Sequence, residues 1–484
     1  MDGVKYDEYQ YKVVVSESKN ILVVAGAGCG KSTTIVSKIN YLINNKDILP
    51  SQILCVSFTN ESCNSLKEKL SINNYDVEVL TFHKLSLKIL ENNKMKYKIC
   101  SEDYLWYLIN EYFYGLIYGE EVYIKIVIKY YHKICFGDIN KIYSKIDKSD
   151  LISLIYRFIC LFRTNGYDIE YLIKLINNSF GRRLYFLYLV VRIIYEYKIS
   201  LDSEEMIDFD DMILIASKSK ISFMYKYVIV DEFQDTSYIR FNLINNIVKS
   251  CDSNLIVVGD DYQSIYGFSG CDLSLFLGLN NSDFEVIRII NSYRSSQELI
   301  NVACKFVNKD KLLINKELKS CKSNSKPIKI VYYKNIKRDF KKLMEYLVIN
   351  NINNIMILGR NNNSICEVTS DEVIFHDNKI HYKNKDMIYY TVHKSKGLES
   401  DNVVIISLYD GEFGFPCKIK NNNVLNLVMR DMQKNSYSEE RRLFYVALTR
   451  SKNNVYLYTS LYNPSIFVNE IIVNSYKYVE FINI

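Results

Sequence analysis

Residues 25–32 read Ala-Gly-Ala-Gly-Cys-Gly-Lys-Ser, a glycine-rich turn that ends in a lysine and a serine. Glycines let backbone N–H groups converge on phosphates, and the amino end of a following helix adds a favourable dipole. We therefore expect Lys31 to reach the β- and γ-phosphates of a nucleotide and Ser32 to bind Mg²⁺. A glycine turn without function is the alternative. It is disfavoured because an apolar run at 21–24 and an amphipathic stretch from Ser32 supply the strand–loop–helix context of a P-loop.

Two adjacent carboxylates form the second candidate group. Asp231 and Glu232 directly follow an apolar run at 228–230, which predicts a buried strand. In P-loop ATPases one such carboxylate holds Mg²⁺ through water, and another orients and deprotonates the attacking water. We assign Asp231 to the metal and Glu232 to the catalytic base. A solvated acidic turn is the alternative reading of the pair.

Alternating strands and helices must position these residues. Predicted strands of a first unit lie at 21–24, 53–58, 77–82, 225–232 and 254–261. Residues 96–204 differ, because Tyr, Ile and Lys recur there at helical spacing and predict an α-helical insertion. A second unit has predicted strands at 284–289, 329–333, 355–359, 388–392, 402–408 and 455–459. Strand–helix alternation of this kind predicts an α/β fold with parallel sheets.

Composition sets limits on the class of protein. A chain of 484 residues has room for about three domains. Its 48% hydrophobic and 24% charged residues are ordinary for a globular protein and exclude disorder as the main state. The net charge of +6 allows a nucleic-acid partner without demanding one. The 42 Tyr accompany other residues with A/T-rich codons, so the aromatics alone do not indicate a base-stacking surface.

Cysteines and apolar runs bear on cofactors and location. The 12 Cys include no Cys-x-x-Cys spacing, which disfavours zinc and iron–sulfur centres. No apolar run reaches the ~18 residues of a membrane span, and the first residues are not typical of a signal peptide. We expect an intracellular, cytoplasmic chain with no membrane partner.

Seven sequence segments, which follow one another in a fixed order, add further candidate residues to the P-loop and the two adjacent carboxylates. They are SFTNES (57–62), TFH (81–83), VDEFQDT (230–236), VGDDYQSIYGF (258–268), SYRSSQELI (292–300), TVHKSKGLE (391–399) and EERRLFYVALTRSK (439–452). With the P-loop, they resemble the UvrD/Rep/PcrA group of superfamily 1 DNA helicases from Gln10 to about Lys452. The resemblance implies two RecA-like P-loop domains with ATP between them and single-stranded DNA across both. The domains would comprise 1–95 with 205–283, the helical insertion 96–204, and a second core at 284–484.

The resemblance also implies which residues bind the nucleoside. Gln10 would read the adenine through its side-chain amide, Tyr293 would stack on the base, and Glu399 would contact the ribose. An amide matches the donor and acceptor edge of adenine. The P-loop completes the cofactor-binding set with Ala25, Gly26, Ala27, Gly28, Cys29, Gly30, Lys31, Ser32 and Thr33.

Three further residues are implied to act on the γ-phosphate. Arg294 and Arg450 would reach it from the second domain, and Gln263 would sense it and couple it to DNA. Arginine suits this position because its forked guanidinium is always charged, and such fingers raise rates by about 10³–10⁵. With Lys31 and Glu232 these three form the expected catalytic set. A surface salt bridge is the alternative for the two arginines.

For DNA, the resemblance implies aromatic rings on which bases stack. Stacking tolerates any sequence and contributes about 1–3 kcal/mol per base, which suits a translocating enzyme. A role in the protein core is the alternative for any single ring, since Tyr and Phe are common here. The implied DNA residues are the rings Phe58, Tyr266 and Phe268, and the base or backbone contacts His83, Arg360 and His393.

The chain departs from the family pattern in two places. Gly267, Phe268 and Ser269 stand where the family usually has Arg, Trp and Arg. Each arginine that no longer binds a phosphate would lower the salt dependence of DNA binding by about one charge. Only about 26 residues separate Ser364 from Thr391, too few for the large second helical insertion of the family, so we expect a compact form without it.

The resulting hypothesis is an ATP- and Mg²⁺-dependent DNA helicase that moves 3′ to 5′ on single-stranded DNA and engages tailed duplexes. Three alternatives stay open. One is a translocase that displaces proteins but unwinds poorly alone. Another is a nucleotide-gated DNA-binding subunit with weak turnover, and the last is a P-loop kinase. We expect a monomer and leave an accessory protein partner open; repair and replication are both compatible roles.

Overall fold

The computed structural model describes residues 6–72, 75–115, 117, 120–131, 138–419, 422–430 and 437–484. Its strands are β1 (Asn20–Ala25), β2 (Ile53–Ser57), β3 (Glu78–Thr81), β4 (Lys98–Ile99), β5 (Met206–Ile207), β6 (Tyr227–Val230), β7 (Asn254–Gly259), β8 (Glu285–Ile289), β9 (Ile328–Tyr333), β10 (Ile355–Gly359), β11 (Ile374–His376), β12 (Lys379–Tyr382), β13 (Lys385–Thr391), β14 (Ser400–Leu408), β15 (Ser451–Ser460) and β16 (Val479–Ile482).

The α-helices are α1 (Glu8–Val15), α2 (Lys31–Lys46), α3 (Asn60–Ser71), α4 (Phe82–Asn92), α5 (Tyr104–Tyr114), α6 (Glu121–Tyr130), α7 (Ile139–Ser144), α8 (Ser149–Thr164), α9 (Ile169–Asn177), α10 (Gly181–Ser203), α11 (Phe209–Ala216), α12 (Tyr238–Cys251), α13 (Leu273–Leu279), α14 (Gln297–Val307), α15 (Ile336–Ile349), α16 (Ser364–Val368), α17 (Ser438–Leu448) and α18 (Ile466–Ser475). The predicted α/β fold class is confirmed. None of the described helices is long and apolar enough to cross a membrane.

The first sheet has the order β3-β2-β6-β7-β1-β8, and all its neighbouring pairs are parallel. Its central strands are near-continuous apolar runs because helices cover both faces; every residue of β2 is buried. The carboxyl ends of parallel strands meet at one edge of the sheet, where ligands bind in open α/β sheets. The residues that follow four neighbouring ends are Gly26, Phe58, Asp231 and Asp260.

The second sheet has the order β11-β12-β13-β10-β14-β15-β9-β16. The pairs from β13 to β16 are parallel, and β11 and β12 extend the β13 edge in antiparallel fashion. Arg360 and His393 follow the carboxyl ends of β10 and β13. Glu399 and Arg450 directly precede β14 and β15, at the opposite edge. The expected DNA and nucleotide residues of this half therefore come from different edges.

One predicted strand belongs to the other sheet. The sequence analysis placed 284–289 at the start of the second unit, whereas β8 pairs in parallel with β1 from Ile21↔Glu285 to Ala25↔Ile289. The prediction was wrong because this strand is short and its apolar pattern does not identify its neighbour. The first sheet thus extends to Ile289, and the second begins with β9. Residues 290–327, here called the connector, join the two sheets and contain α14.

Helices α5–α10 lie between residues 104 and 203 and form a separate helical cluster with its own core. The short strand β4, which the sequence analysis missed, lies before the helical cluster and pairs in parallel with β5, which follows it. A segment at 422–430 packs onto it: Leu425 and Val428 are buried there, and the Asn165 side-chain amide donates to the Val428 carbonyl at 2.9 Å. The helical cluster thus contacts a segment that lies between β14 and α17.

Between Ser364 and Thr391 the chain forms only α16 and the strands β11, β12 and β13. All residues of this stretch are described. The hairpin β11–β12, of which β11 is exposed, stands where the family pattern has its second helical insertion. The compact form expected from the spacing agrees with this local structure.

Candidate nucleotide and nucleic-acid site

The P-loop joins β1 to α2 and packs tightly against the connector. Gly28 and Gly30 both have a φ of 76°, which favours glycine. A Cβ on Gly28 would lie 2.5 Å from the Cβ of Arg294, so a side chain there would push the connector away. Helix α2 begins at Lys31 with no side-chain cap, which leaves its first N–H groups available for phosphate oxygens.

The two carboxylates after β6 face the P-loop lysine. The Nζ of Lys31 lies 3.3 Å from Oε1 of Glu232. Glu232 has a left-handed backbone with a φ of 52°, a strained conformation for a residue with a side chain. Its backbone N–H donates to Oδ1 of Asp231 at 2.9 Å, and its Oε2 accepts from Nε2 of Gln234 at 2.5 Å. Local hydrogen bonds thus hold Glu232 beside Lys31 and tie Asp231 to the Glu232 backbone.

Burial and charge separate the pKa values of the two acids. Burial raises the pKa of Asp231, and the adjacent Glu232 raises it further. Burial also acts to raise the pKa of Glu232, but Lys31 and Lys396 outweigh it and leave that pKa well below its usual range. The raised pKa means that the ionised form of Asp231 is disfavoured in the absence of a cation, and a cation bound beside Asp231 would stabilise that form. With Ser32 lining the same cavity, these residues fit Mg²⁺, which proteins usually hold by few carboxylates together with substrate phosphates.

A cavity of about 780 Å³ brings most of the expected ATP residues together. Its walls come from the loops after β1, β2, β6 and β7, from helix α3 and the connector, and from residues 390–398 and 450 of the other sheet's half. Two residues of the P-loop, Ala25 and Ala27, are not part of this lining. Ala25 is the last residue of β1, and the Ala27 carbonyl accepts a hydrogen bond from Oγ of Ser292 at 2.9 Å. The expected residues in its lining are Gly26, Gly28, Cys29, Gly30, Lys31, Ser32, Thr33, Asp231, Glu232, Gln263, Arg294 and Arg450.

The residues expected to meet the nucleoside sit beside the loop. Gln10 is buried, and its Nε2 donates to the Cys29 carbonyl at 3.3 Å. The backbone N–H of Tyr293 donates to the Gly28 carbonyl at 2.9 Å, and its hydroxyl donates to Oδ2 of Asp7 at 2.7 Å. Asp7 caps α1, the helix that carries Gln10. Gln10 and the half-exposed Tyr293 therefore flank the P-loop.

The two arginines enter the cavity from different places. Arg450 is fully buried at the start of β15, and its NH2 group donates to Oε1 of Gln263 at 3.2 Å. Arg294 lies on the connector, five residues after β8 ends, and its side chain is held by residues of the second sheet's half. Its Nε donates to Oε2 of Glu399 at 2.8 Å and its NH1 group donates to the Thr449 carbonyl at 3.2 Å. Glu399 is thus a partner of Arg294 in this structure.

Four of the expected DNA residues form one ring cluster at the junction of the two sheets. Phe58 and Tyr266 stack with centroids 6.0 Å apart and planes 10° apart. Phe268 meets the His393 ring edge-on at 5.3 Å and is 50% exposed. The Tyr266 hydroxyl donates to the His393 carbonyl at 3.2 Å. Tyr266 and His393 also line the ATP cavity, so the cluster and the cavity share a wall.

The other two expected DNA residues lie on either side of that cluster. His83 packs against Phe209 with ring centroids 5.0 Å apart, and burial with help from Arg240 lowers its pKa to about 4. The Arg240 guanidinium lies 4.7 Å from the Phe58 centroid and links His83 to the cluster. On the opposite side, Arg360 forms a two-pronged ion pair with Glu440. A phosphate at Arg360 would compete with that carboxylate.

Comparison with known proteins identifies the protein family to which this ATP site and ring cluster belong. Residues 6–284 match the UvrD/REP helicase N-terminal domain, and 374–462 match the UvrD-like helicase C-terminal domain. The chain belongs to the UvrD/REP helicase family. Membership agrees with the resemblance carried by the motifs, makes the chain an ATP-hydrolysing DNA helicase, and implies RecA-like cores for the two sheets.

Three relatives show how much of the chain is shared with this family. It is 26% identical to DNA helicase IV of Escherichia coli over 96% of its own length and 69% of that protein. It is 28% identical to the ATP-dependent DNA helicase Rep of Buchnera aphidicola over 72% of its length and 50% of that protein. A probable DNA helicase of Mycoplasma pneumoniae is 25% identical over 96% of the chain and 86% of that protein.

In this UvrD/REP family chain, several charged residues in and near the cavity were missed by sequence reasoning. Lys396 lies in the segment 391–399 and lines the cavity, yet nothing in its spacing pairs it with Asp235, with which it forms an ion pair between the two halves. Its Nζ also donates to the Gln263 carbonyl at 2.8 Å. Lys316 of the connector is a lone lysine in an undistinguished segment, and it lies buried between Asp260 and Asp261. Only the folded chain brings these charges together.

Proposed function

We propose that this chain couples ATP hydrolysis to 3′-to-5′ movement along single-stranded DNA and uses that movement to open tailed duplexes. One observation supports the coupling. Tyr266 and His393 belong to the ring cluster and also line the cavity that holds Lys31 and Glu232. A change in that cavity on hydrolysis would therefore move rings on which bases could stack.

The two halves would act as the two core domains of this motor, with the helical cluster 104–203 as its insertion. ATP would bind with its phosphates on the P-loop, near Lys31 and Ser32, and with its base between Gln10 and Tyr293. Mg²⁺, when bound with ATP, would neutralise phosphate charge beside Asp231. Glu232 would accept the proton of the attacking water once Lys31 turns toward the phosphates.

Arg294, Arg450 and Gln263 would stabilise the charge that develops on the γ-phosphate. Arg450 comes from the second sheet's half and Gln263 from the first, and they are already hydrogen-bonded. A hydrolysis-competent arrangement thus requires both halves together, which is the geometric condition for a motor that works by opening and closing.

DNA would run along the ring cluster from His83 to Arg360. Bases would stack on Phe58, Tyr266 and Phe268, and stacking of this kind has no sequence preference. At the Arg360 end of this track, the Glu440 carboxylate partly neutralises the positive charge of Arg360. Because a net charge of +6 is mild for 484 residues, DNA binding would depend on this local track rather than on the whole surface.

A translocase that displaces bound proteins but unwinds poorly is the second candidate. The hairpin β11–β12 in place of a second helical insertion favours it, because fewer surfaces are left to contact duplex DNA.

A comparison of substrates tests both candidates. ATPase rates would be measured with and without single-stranded DNA, and strand displacement on 3′-tailed and 5′-tailed duplexes. DNA-stimulated turnover with displacement of 3′-tailed duplexes only supports the first candidate. Stimulated turnover without displacement favours the second, and equal turnover with and without DNA refutes both.

A further inference from the structure

A buried lysine of the connector contacts a carboxylate next to the ATP cavity. Lys316 is 5% exposed and lies between Asp260 and Asp261, which are both fully buried. Its Nζ is 2.5 Å from Oδ1 of Asp261 and 3.9 Å from the ring centroid of Tyr262. Burial acts to lower the pKa of Lys316, but the two carboxylates outweigh it and leave the pKa raised. Lys316 is therefore a cation held in a nearly closed cage.

Asp260 divides its two oxygens between different partners. Its Oδ1 accepts from Lys316 Nζ and from the backbone N–H of Tyr262 at 3.2 Å. Its Oδ2 accepts from Nε2 of Gln263 at 2.6 Å. The same Gln263 side chain offers its Oε1 to Arg450 at 3.2 Å. A single line of hydrogen bonds thus runs from Lys316 through Asp260 and Gln263 to Arg450.

This line fixes the orientation of the Gln263 amide. A glutamine side chain has one face that donates and one that accepts, and the two faces differ only by a half-turn of the amide. Asp260 as a carboxylate accepts only, so it selects the donating face, and the accepting face must then meet Arg450. The reverse orientation would point an N–H toward the guanidinium and leave a buried donor without a partner.

We propose that Lys316 is a positioning residue for ATP hydrolysis, because it binds Oδ1 of Asp260, leaves Oδ2 directed at the Gln263 NH₂ group, and so holds the Gln263 amide with its oxygen on Arg450. The inference rests on the proposed function and deepens it. Lys316 would act on turnover through Gln263 and would not touch ATP. Its charge also stabilises the fold, as any buried partner of two carboxylates does, and the test must separate these two roles.

Three variants separate them. Lys316→Met removes the cation at similar length. Asp260→Asn leaves Lys316 in place, so the amide oxygen of the new side chain faces the lysine and its NH₂ group faces Gln263, whose amide then rotates by a half-turn. The double variant removes the lysine as well, so that only the Tyr262 N–H, at 3.2 Å, still favours the oxygen of residue 260 on its own side. The charged guanidinium of Arg450 favours the opposite orientation, in which that oxygen faces Gln263 and the Gln263 oxygen faces Arg450. Lys148→Met is a matched control, since Lys148 is 4% exposed and bonds to backbone carbonyls inside the helical cluster.

The measurements are DNA-stimulated kcat, ADP affinity and thermal unfolding. We expect kcat to fall about 10- to 100-fold in Lys316→Met and in Asp260→Asn, as for other residues that orient a catalytic group. ADP affinity should stay within about twofold, because Gln263 is proposed to meet the γ-phosphate, which ADP lacks. The double variant should exceed Asp260→Asn in kcat, and Lys148→Met should keep the wild-type kcat.

Each outcome bears on one hypothesis. A double variant no more active than Asp260→Asn, or a kcat that falls only in proportion to the fraction of protein that is unfolded, overturns the positioning role. If Lys316→Met does not fold, the comparison of Asp260→Asn with the double variant still decides. A wild-type chain without DNA-stimulated turnover refutes the proposed function itself, which this series shows before any variant is compared.

Discussion

Replacement of Glu232 by Gln should tighten ATP binding while it stops turnover. In the structure Glu232 is the ion-pair partner of Lys31, with 3.3 Å between Oε1 and Nζ. The phosphates of ATP must take Lys31 away from this carboxylate. Binding of ATP is therefore opposed because the ion pair must break first, and Glu232→Gln removes that pair in advance.

The magnitude follows from the exposure of the pair. A hydrogen bond to a charged group contributes about 1.5–3 kcal/mol, and the side chains are 12% and 23% exposed, which favours the lower end. About 1.4 kcal/mol corresponds to tenfold in Kd, so Glu232→Gln should bind ATP about tenfold more tightly than wild type. If Glu232 is the base, kcat should fall by about 10²–10⁴.

A fluorescent ATP analogue with Mg²⁺ measures the Kd, and an ATPase assay with single-stranded DNA measures kcat. Glu61→Gln is the matched control, because Glu61 is exposed at the rim of the same cavity and its substitution removes the same charge. The reasoning is refuted if Glu232→Gln binds ATP no more tightly than Glu61→Gln. Retention of wild-type kcat would refute the assignment of Glu232 as base.

Three shorter predictions concern the ATP site, the DNA track and pH. Lys31→Ala should abolish DNA-stimulated ATP turnover, because no other described cation lies at the start of α2. A variant that hydrolyses ATP at the wild-type rate would contradict this. Phe268→Ala should weaken single-stranded DNA binding by about 1–3 kcal/mol, whereas Phe180→Ala, at an 84% exposed ring in the helical cluster, should not. Burial lowers the pKa of His393 to about 4, with help from Arg360 and Lys396. Since unfolded His titrates near 6.5, the unfolded chain binds more protons between these values, and stability should fall as pH drops through that window. His393→Asn should flatten that part of the Tm profile.

The sequence was sufficient for elements whose signal is local. A strand, a glycine turn and a helix start are contiguous around Lys31, and the buried run before Asp231 needs no partner to be recognised. Pairing between strands is different, because it depends on which neighbour offers a free edge. The strand Glu285–Ile289 illustrates this: its apolar residues fit either sheet, and only its register against β1 assigns it to the first.

Charges that meet from distant parts of the chain were beyond sequence reasoning for a similar reason. Lys396 and Asp235 are 161 residues apart, and Lys316 and Asp260 are 56 apart. The first pair joins the two sheets' halves, and the second forms because the connector packs against the loop after β7. The P-loop lysine was predictable because all the residues that define its role are contiguous in one glycine-rich turn. Lys316, by contrast, contacts residues contributed by another element.

The position of Arg294 changes how the two arginines relate to movement between the sheets. Its backbone segment is tied to the P-loop, because the Tyr293 N–H donates to the Gly28 carbonyl and Gly28 leaves no room for a side chain. Its guanidinium is instead held by Glu399 and by the Thr449 carbonyl, both on the second sheet's half. The next residue, Ser295, donates from its Oγ to the Ser451 carbonyl at 2.6 Å, so the Arg294 segment is held to both halves. Arg450 lies on the second half and meets the first through Gln263, so it is the arginine whose contact with the first half depends on closure.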